Sequence, residues 1–201
     1  MTTEEQYKKL KVTPGTYVPN TGIEYPEDPS IRMVRPTNFT HPFVMDENYP
    51  YYEDNFHYWL NYVLDYAKFW FLVHPLLKIL YGLKVERNGI MKRYKKEFRN
   101  GAITICNHCF RWDVPSVIAA TRKHFWIPMI GENMMTDDYW HMKYIGGIPV
   151  PSTMAAMKKY NEAFDKHHEL GHWFHVFPEG INWKWYKPLK PFYKGAFSMS
   201  Y

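Results

Sequence analysis

A chain of 201 residues is long enough for one domain with a buried core, and a hydrophobic content of 46% lies within the ordinary globular range. The formal net charge of +5 suits an anionic partner, and two cysteines, Cys106 and Cys109, are too few for a disulfide scaffold. Eight Trp, seventeen Tyr and thirteen Phe exceed what a core of this size requires, and they read either as a tyrosine-rich core and surface or as rings set at a lipid–water boundary.

The N-terminus, Met1-Thr2-Thr3-Glu4-Glu5-Gln6, is acidic and polar and lacks the basic start and apolar run of a signal peptide, so a cytoplasmic location is expected. Residues 1–50 hold seven of the fifteen prolines without a sustained helical period and read as an extended, Pro-rich arm. In residues 51–82, Trp59, Tyr62, Val63, Tyr66, Phe69, Trp70 and Val73 recur at three- and four-residue steps and predict one helical face. Asp65 and Lys68 interrupt the apolar run. The longest uncharged stretch, Phe69 to Leu77, is far short of the roughly 20 residues of a membrane span. Pro75 is expected to kink or end this helix, and a second, Leu76 to Tyr81, to stop at Gly82. The pair reads either as a layer packed on the core or as an anchor lying in the membrane interface.

From residue 83 onward strands and helices alternate. Residues 83–87, 102–107, 125–130 and 172–177 read as strands; 113–122 and 152–170 read as helices. Between the first two strands runs a basic segment, Arg87, Lys92, Arg93, Lys95, Lys96 and Arg99, read as a solvated face or an anion-binding patch. Strands separated by helices predict an α/β fold for 83–201, with a mixed, mostly parallel sheet flanked by helices.

The most informative stretch is Ile105-Cys106-Asn107-His108-Cys109-Phe110-Arg111-Trp112-Asp113. His108 falls in the turn after a strand, where α/β sheets bind ligands. Asp113 falls at a helix start, where a carboxylate is favoured by the dipole and by unpaired N–H groups. Folded back, Asp113 orients the imidazole and leaves its other nitrogen to take a proton, with a substrate hydroxyl as the nucleophile. Alone, a His-x4-Asp spacing recurs by chance, with the Asp as a simple helix cap. The second stretch, Val176-Phe177-Pro178-Glu179-Gly180, also follows a strand and opens on the same rim, Glu179 binding substrate hydroxyls or capping the turn.

Asn107-His108-x4-Asp113, then Gly146-Gly147-Ile148-Pro149-Val150, then Phe177-Pro178-Glu179-Gly180 resemble, in order and spacing, the first three motifs of the glycerolipid acyltransferases of the 1-acyl-glycerol-3-phosphate acyltransferase type. Tyr193-Lys194-Gly195-Ala196-Phe197 resembles that family's Lys-Gly-Ala segment. The resemblance implies a fatty acyl transfer from acyl-CoA or acyl-carrier protein, as co-substrate, to a lysophospholipid hydroxyl in phospholipid biosynthesis. By it, His108 is general base and Asp113 its partner. Asn107, Gly146, Gly147, Glu179, Gly180 and Lys194 bind substrate, backbone N–H groups near the helix start stabilise the oxyanion, and neither metal nor cofactor is required. The lack of a signal peptide and of a full span leads to the expectation of a peripheral protein on the cytoplasmic face of the membrane, and no nucleic-acid partner is expected, because no recognised motif joins the basic and aromatic residues. The sequence departs from the family pattern at Ile181-Asn182, where Thr-Arg is common, and at Pro151-Ser152, where an Arg commonly follows the second motif. Lys158, Lys184, Lys187 and Lys190 are the cations nearest in sequence to replace those arginines. Family members usually continue beyond the Lys-Gly segment, so 83–201 is expected to be C-terminally truncated relative to them.

Three other readings compete. A lipid-binding module without catalysis needs the same helices and basic patches. Cys106-x2-Cys109 after a strand matches a thiol oxidoreductase motif. The same cysteines with His172 and His175 have zinc-like spacing, although two histidines three apart in a strand point to opposite faces.

Overall fold

The computed structural model describes residues 22–33, 35–86, 89–186 and 188–197. Residues 1–21 of the expected arm, Arg87 at the end of the first expected strand, and Lys187 lie outside the described residues. The fold is mixed α/β, with short parallel sheets flanked by helices and an aromatic cluster in its N-terminal region. It divides into two compact units, one comprising the described residues of 22–35, 105–113 and 176–197, the other Pro36–Thr104 and Val114–His175.

The larger unit begins with helix α1 (Phe56–Lys68), started by Asn55, whose side chain accepts the N–H of Tyr58 at 2.8 Å. A π-helical segment, Phe69–Val73, follows in place of the expected kink, and α2 (His74–Tyr81) continues from it with Pro75 in its first turn. Gly82, at φ +62°, ends it. A short helix α3 (Ile90–Arg93) precedes β1 (Ile103–Ile105); then come α4 (Asp113–Thr121), β2 (Ile127–Ile130), α5 (Tyr139–Tyr144), β3 (Gly147–Val150), α6 (Met154–Glu169) and β4 (Phe174–Val176).

β1 pairs with β4 and β2 with β3, the latter in parallel with Ile127 opposite Gly147 and Ile130 opposite Val150. A parallel bridge from Trp126 to Phe174 joins the pairs in the order β1-β4-β2-β3. Two sequence expectations change here, and one motif without an assigned element becomes a strand. Residues 83–86 form no strand, because an apolar alternation needs a neighbour and none of the described strands pairs with them. The Gly146–Val150 motif, to which the sequence reading assigns no element, supplies β3, and Pro149 is tolerated because β3 stands at the edge of the order. His172 and Trp173 precede β4 rather than belong to it.

Rings fill this unit. Tyr58 of α1 stacks on Trp126 at 5.5 Å, and Trp126 on His167 at 3.9 Å. The Trp126 indole N–H donates to Nδ1 of His172 at 3.1 Å, and His167 Nδ1 lies 2.9 Å from the same atom. An indole nitrogen only donates, so His172 Nδ1 is the acceptor and His167 carries its proton on Nδ1. Tyr62 lies edge-on to His124 at 4.4 Å. Asp65, buried on α1, is held by the Nδ1 of His141 at 2.9 Å and by Lys68. The inward face of α1 is therefore aromatic and polar. Its outward face, continued by the π-helical segment and α2, is mostly aliphatic and exposed: Val63, Leu64, Phe71, Leu72, Ile79 and Leu80. Among the described residues, no helix is long and apolar enough to cross a membrane.

In the smaller unit, the indole of Trp183 is completely buried and donates to the carbonyl of Ile31 at 2.9 Å. Tyr25 packs against Trp183 and Tyr186, ring centroids 5.8 and 4.9 Å away, and its hydroxyl donates to Lys184 O at 2.9 Å. The segment around Tyr25 and Ile31 thus covers the loop that follows β4.

Candidate active site

Residues 105–113 and 176–197 of the smaller unit hold His108, Asp113 and Glu179. Asp113 opens α4 and turns back over its own loop. Its Oδ2 accepts from the backbone N–H groups of Cys109 and Phe110, each at 2.8 Å, and stands 2.9 Å from Nδ1 of His108. Two amide donors fix the carboxylate, and the carboxylate fixes the ring. An ionised carboxylate only accepts, so the ring's proton sits on Nδ1 and Nε2 is left as the base. The imidazole also stacks on Phe177, centroids 4.0 Å apart at 21°, so both its position and its plane are set.

The second motif segment meets the first through the backbone. The N–H of His108 is directed at the Glu179 carboxylate, as is that of Lys190. The N–H of Trp185 donates to Cys109 O at 2.8 Å, and the Phe110 and Trp185 rings stack at 4.3 Å. Gly180 takes φ +67°, and a Cβ there would meet the Tyr193 ring at 2.8 Å, so the turn after Glu179 admits only glycine without strain. The Tyr193 N–H then closes onto Pro178 O at 2.8 Å.

Glu179 is 2% exposed. Burial pushes its carboxyl up to about 7, against the pull of Lys190 and the two backbone donors. Lys190, also buried, lies 3.9 Å from Glu179 Oε2; burial pushes its ammonium down to about 8 while Glu179 pulls it up. Its Nζ also donates to Ile181 O and sits 4.8 Å over the Trp183 ring. Among the described residues, Glu179 Oε1 and Asn182 Oδ1 are both buried with no hydrogen-bond partner. Two orphaned acceptors in one turn call for donors from outside, such as substrate hydroxyls.

Of the other sequence-designated residues, Asn107 is half-buried with its amide 3.6 Å from Cys109 Sγ, and Lys194 is exposed at the start of a 3-10 turn, Lys194–Ala196. Gly146 and Gly147 belong to the larger unit and have a steric reason. Gly146 has φ +102°, and a Cβ on it would lie 1.8 Å from Phe125 O; a Cβ on Gly147 would lie 2.7 Å from Met142 O. The oxyanion donors expected near the helix start are not the Cys109 and Phe110 amides, because Asp113 occupies both. Sequence reading missed Phe177 as the platform for His108 and the pairing of Lys190 with Glu179. The first had a signal, an aromatic residue two before a motif glutamate; the second lies eleven residues off through an irregular loop and had none.

The competing chemistries fare poorly. Burial, then the Asp113 charge, pushes the Cys106 thiol up to about 12, the opposite of what a reactive Cys-x-x-Cys needs. Among the described residues, no cluster of His, Cys, Asp or Glu is arranged to hold a metal ion.

A family model described as Acyltransferase matches residues 84–201, and the chain belongs to that family, of the glycerolipid acyltransferase type its motif order resembles. No curated protein and no solved structure matches it.

Proposed function

We propose that the chain transfers a fatty acyl group from a thioester, acyl-CoA or acyl-carrier protein, to a hydroxyl of a lysophospholipid at the membrane surface. One observation carries the reading: His108 Nδ1 lies 2.9 Å from a carboxylate that two backbone amides hold rigid, while Nε2 makes no hydrogen bond among the described residues. Nε2 takes the proton of the acceptor hydroxyl as its oxygen attacks the thioester carbonyl. The tetrahedral oxyanion collapses, the C–S bond breaks, and the departing thiolate recovers the proton from Nε2. Asp113 stabilises the imidazolium between the two transfers. The acceptor's remaining hydroxyls donate to Glu179 Oε1 and Asn182 Oδ1, which have no other donor among the described residues. This favours a polyol headgroup, glycerol-like, over a bare phosphate, in keeping with Asn182 at a position where the family commonly has an arginine. The chain acts as a peripheral protein of the cytoplasmic membrane face. The exposed aliphatic face of α1, the π-helical segment and α2 supports that placement.

The test is acyl transfer followed by mass spectrometry, with purified chain, acyl-CoA or acyl-carrier protein, and a panel of lysolipids, beside the His108→Ala protein. Product from the native chain alone establishes the reaction and identifies the acceptor. Equal product from a folded His108→Ala protein removes His108 from the chemistry. No product from either, with native circular dichroism, favours a lipid-binding role.

A further inference from the structure

A cavity of about 460 Å³ opens in the larger unit, a volume suited to a small organic ligand. Its lining joins two kinds of group. Lys95, Arg99 and Lys123 supply positive charge; Trp59, Phe98 and Trp173 supply ring surface. Lys95 and Arg99 come from the basic segment before β1, the second from the 3-10 turn Glu97–Asn100. Lys123 comes from the far end of α4, just past Arg122, which takes φ +57° to turn the chain. Elements distant in sequence therefore bring three cations to one cavity.

Among the described residues, none of the three is paired with a carboxylate; Lys123 has only the Trp173 ring, 5.3 Å from its Nζ. Uncompensated cations around a concavity repel one another and concentrate field inside it, so a multiply charged anion is attracted there. The rings define the rest of the ligand. Trp173 is 5% exposed and packs against Phe98 at 5.3 Å, forming a fixed apolar wall. The Trp59 indole donates to Asp54 at 2.6 Å, which holds that ring in place. His172 also lines the cavity; it accepts the Trp126 N–H on Nδ1, so its own proton lies on Nε2 and the ring remains a donor.

We propose that this cavity binds an organic phosphate, its phosphate held by Lys95, Arg99 and Lys123 and its apolar body set against Trp59, Phe98 and Trp173. The chemistry is shared by a mononucleotide and by the headgroup of a phosphorylated lipid. The site stands apart from the acyl-transfer reading, because none of these residues takes part in the chemistry assigned to His108.

The experiment titrates the purified chain with AMP, with a short-chain lysophosphatidate below its micellar concentration, and with inorganic phosphate, read by indole fluorescence and calorimetry. One of the two organic phosphates is expected to saturate the protein at micromolar concentrations, and whichever does identifies the source. Inorganic phosphate is expected to bind at least about tenfold more weakly, for want of the ring contacts. The Lys95→Glu/Arg99→Glu double variant, with both changes on exposed side chains, is expected to weaken binding by about tenfold or more with unchanged circular dichroism. The His108→Ala protein is expected to bind as the native chain does, which separates this site from the catalytic reading. The proposal is overturned if neither organic phosphate saturates by about 1 mM, if inorganic phosphate binds equally well, or if the charge reversal leaves the Kd within about twofold.

Discussion

Asp113 Oδ2 receives three hydrogen bonds, one from the imidazole and two from the amides of its own turn. The same atom therefore caps the start of α4 and orients His108, so structure and chemistry are coupled in a single carboxylate. Asp113→Asn keeps the size but replaces one acceptor oxygen with a donor NH2. The amide oxygen can take the place of Oδ2 and keep all three hydrogen bonds, but the side chain then carries no charge to stabilise the imidazolium. We expect kcat to fall by about 10³-fold with the acceptor KM near native, measured in single-turnover acyl transfer. A fall in stability alone, with kcat preserved in the folded fraction, would leave Asp113 only its capping role. The spacing of His108 and Asp113 was readable because five residues of strand-turn-helix are local geometry. The buried pair of Glu179 and Lys190 was not, since it depends on how an irregular loop closes over Trp183.

Among the elements, β3 and the α1–α2 segment each settle a question left open by composition. The Gly146-Gly147 pair at the head of β3 lets that strand approach β2 and the end of α5 more closely than any side chain permits. Gly146→Ala forces a Cβ into Phe125 O at a φ that L-residues avoid. A loss of about 3 kcal/mol or more in urea denaturation is expected. Native stability in that variant would show that the strand can shift to relieve the contact. For α1 and α2, periodicity found an amphipathic helix pair but grouped Val63 with the aromatic residues. The structure turns Tyr58, Phe69 and Leu77 inward and leaves Val63, Phe71 (85% exposed) and Ile79 (77% exposed) outward. A vesicle-binding test therefore belongs on the aliphatic face. Phe71→Asn, Leu72→Asn, Ile79→Asn and Leu80→Asn combined are expected to abolish flotation with anionic vesicles, whereas Trp59→Ser is expected to lower stability instead, because that indole is bonded to Asp54. Unchanged flotation of the fourfold variant would remove this face from membrane binding.

Across the molecule, the histidine cluster of the larger unit ties stability to pH. Burial, then the neighbouring His172, pushes His124 and His167 down to about 3, and His172 is lowered as well. Folding holds these rings neutral, while in the unfolded chain they take protons near pH 6.5. The unfolded state thus binds more protons between about pH 6.5 and 3, and stability present above pH 6.5 is lost as pH falls through that window. At pH 5 each of the two deeply shifted rings costs on the order of 2 kcal/mol relative to neutral pH. Urea denaturation at pH 7.5 and at pH 5 is expected to show this drop, reduced by about half in His124→Gln. Equal stability at both pH values would mean that the rings protonate within the fold.

The alternation of strands and helices, the His-x4-Asp turn and the ordered glycine and glutamate motifs were all visible in the chain itself, because each depends on residues within a turn or two of one another. The mixed α/β class and the acyltransferase family followed from them. The tertiary structure alone decided the rest. It made a strand of a Gly- and Pro-rich motif, because an edge position tolerates a missing N–H. It sent Tyr58, Trp59 and Tyr62 inward, because His124, His172 and Trp126 from later elements offer them partners. It also gathered Lys95, Arg99 and Lys123 around one cavity. Such contacts join residues far apart in sequence, and no local pattern records them.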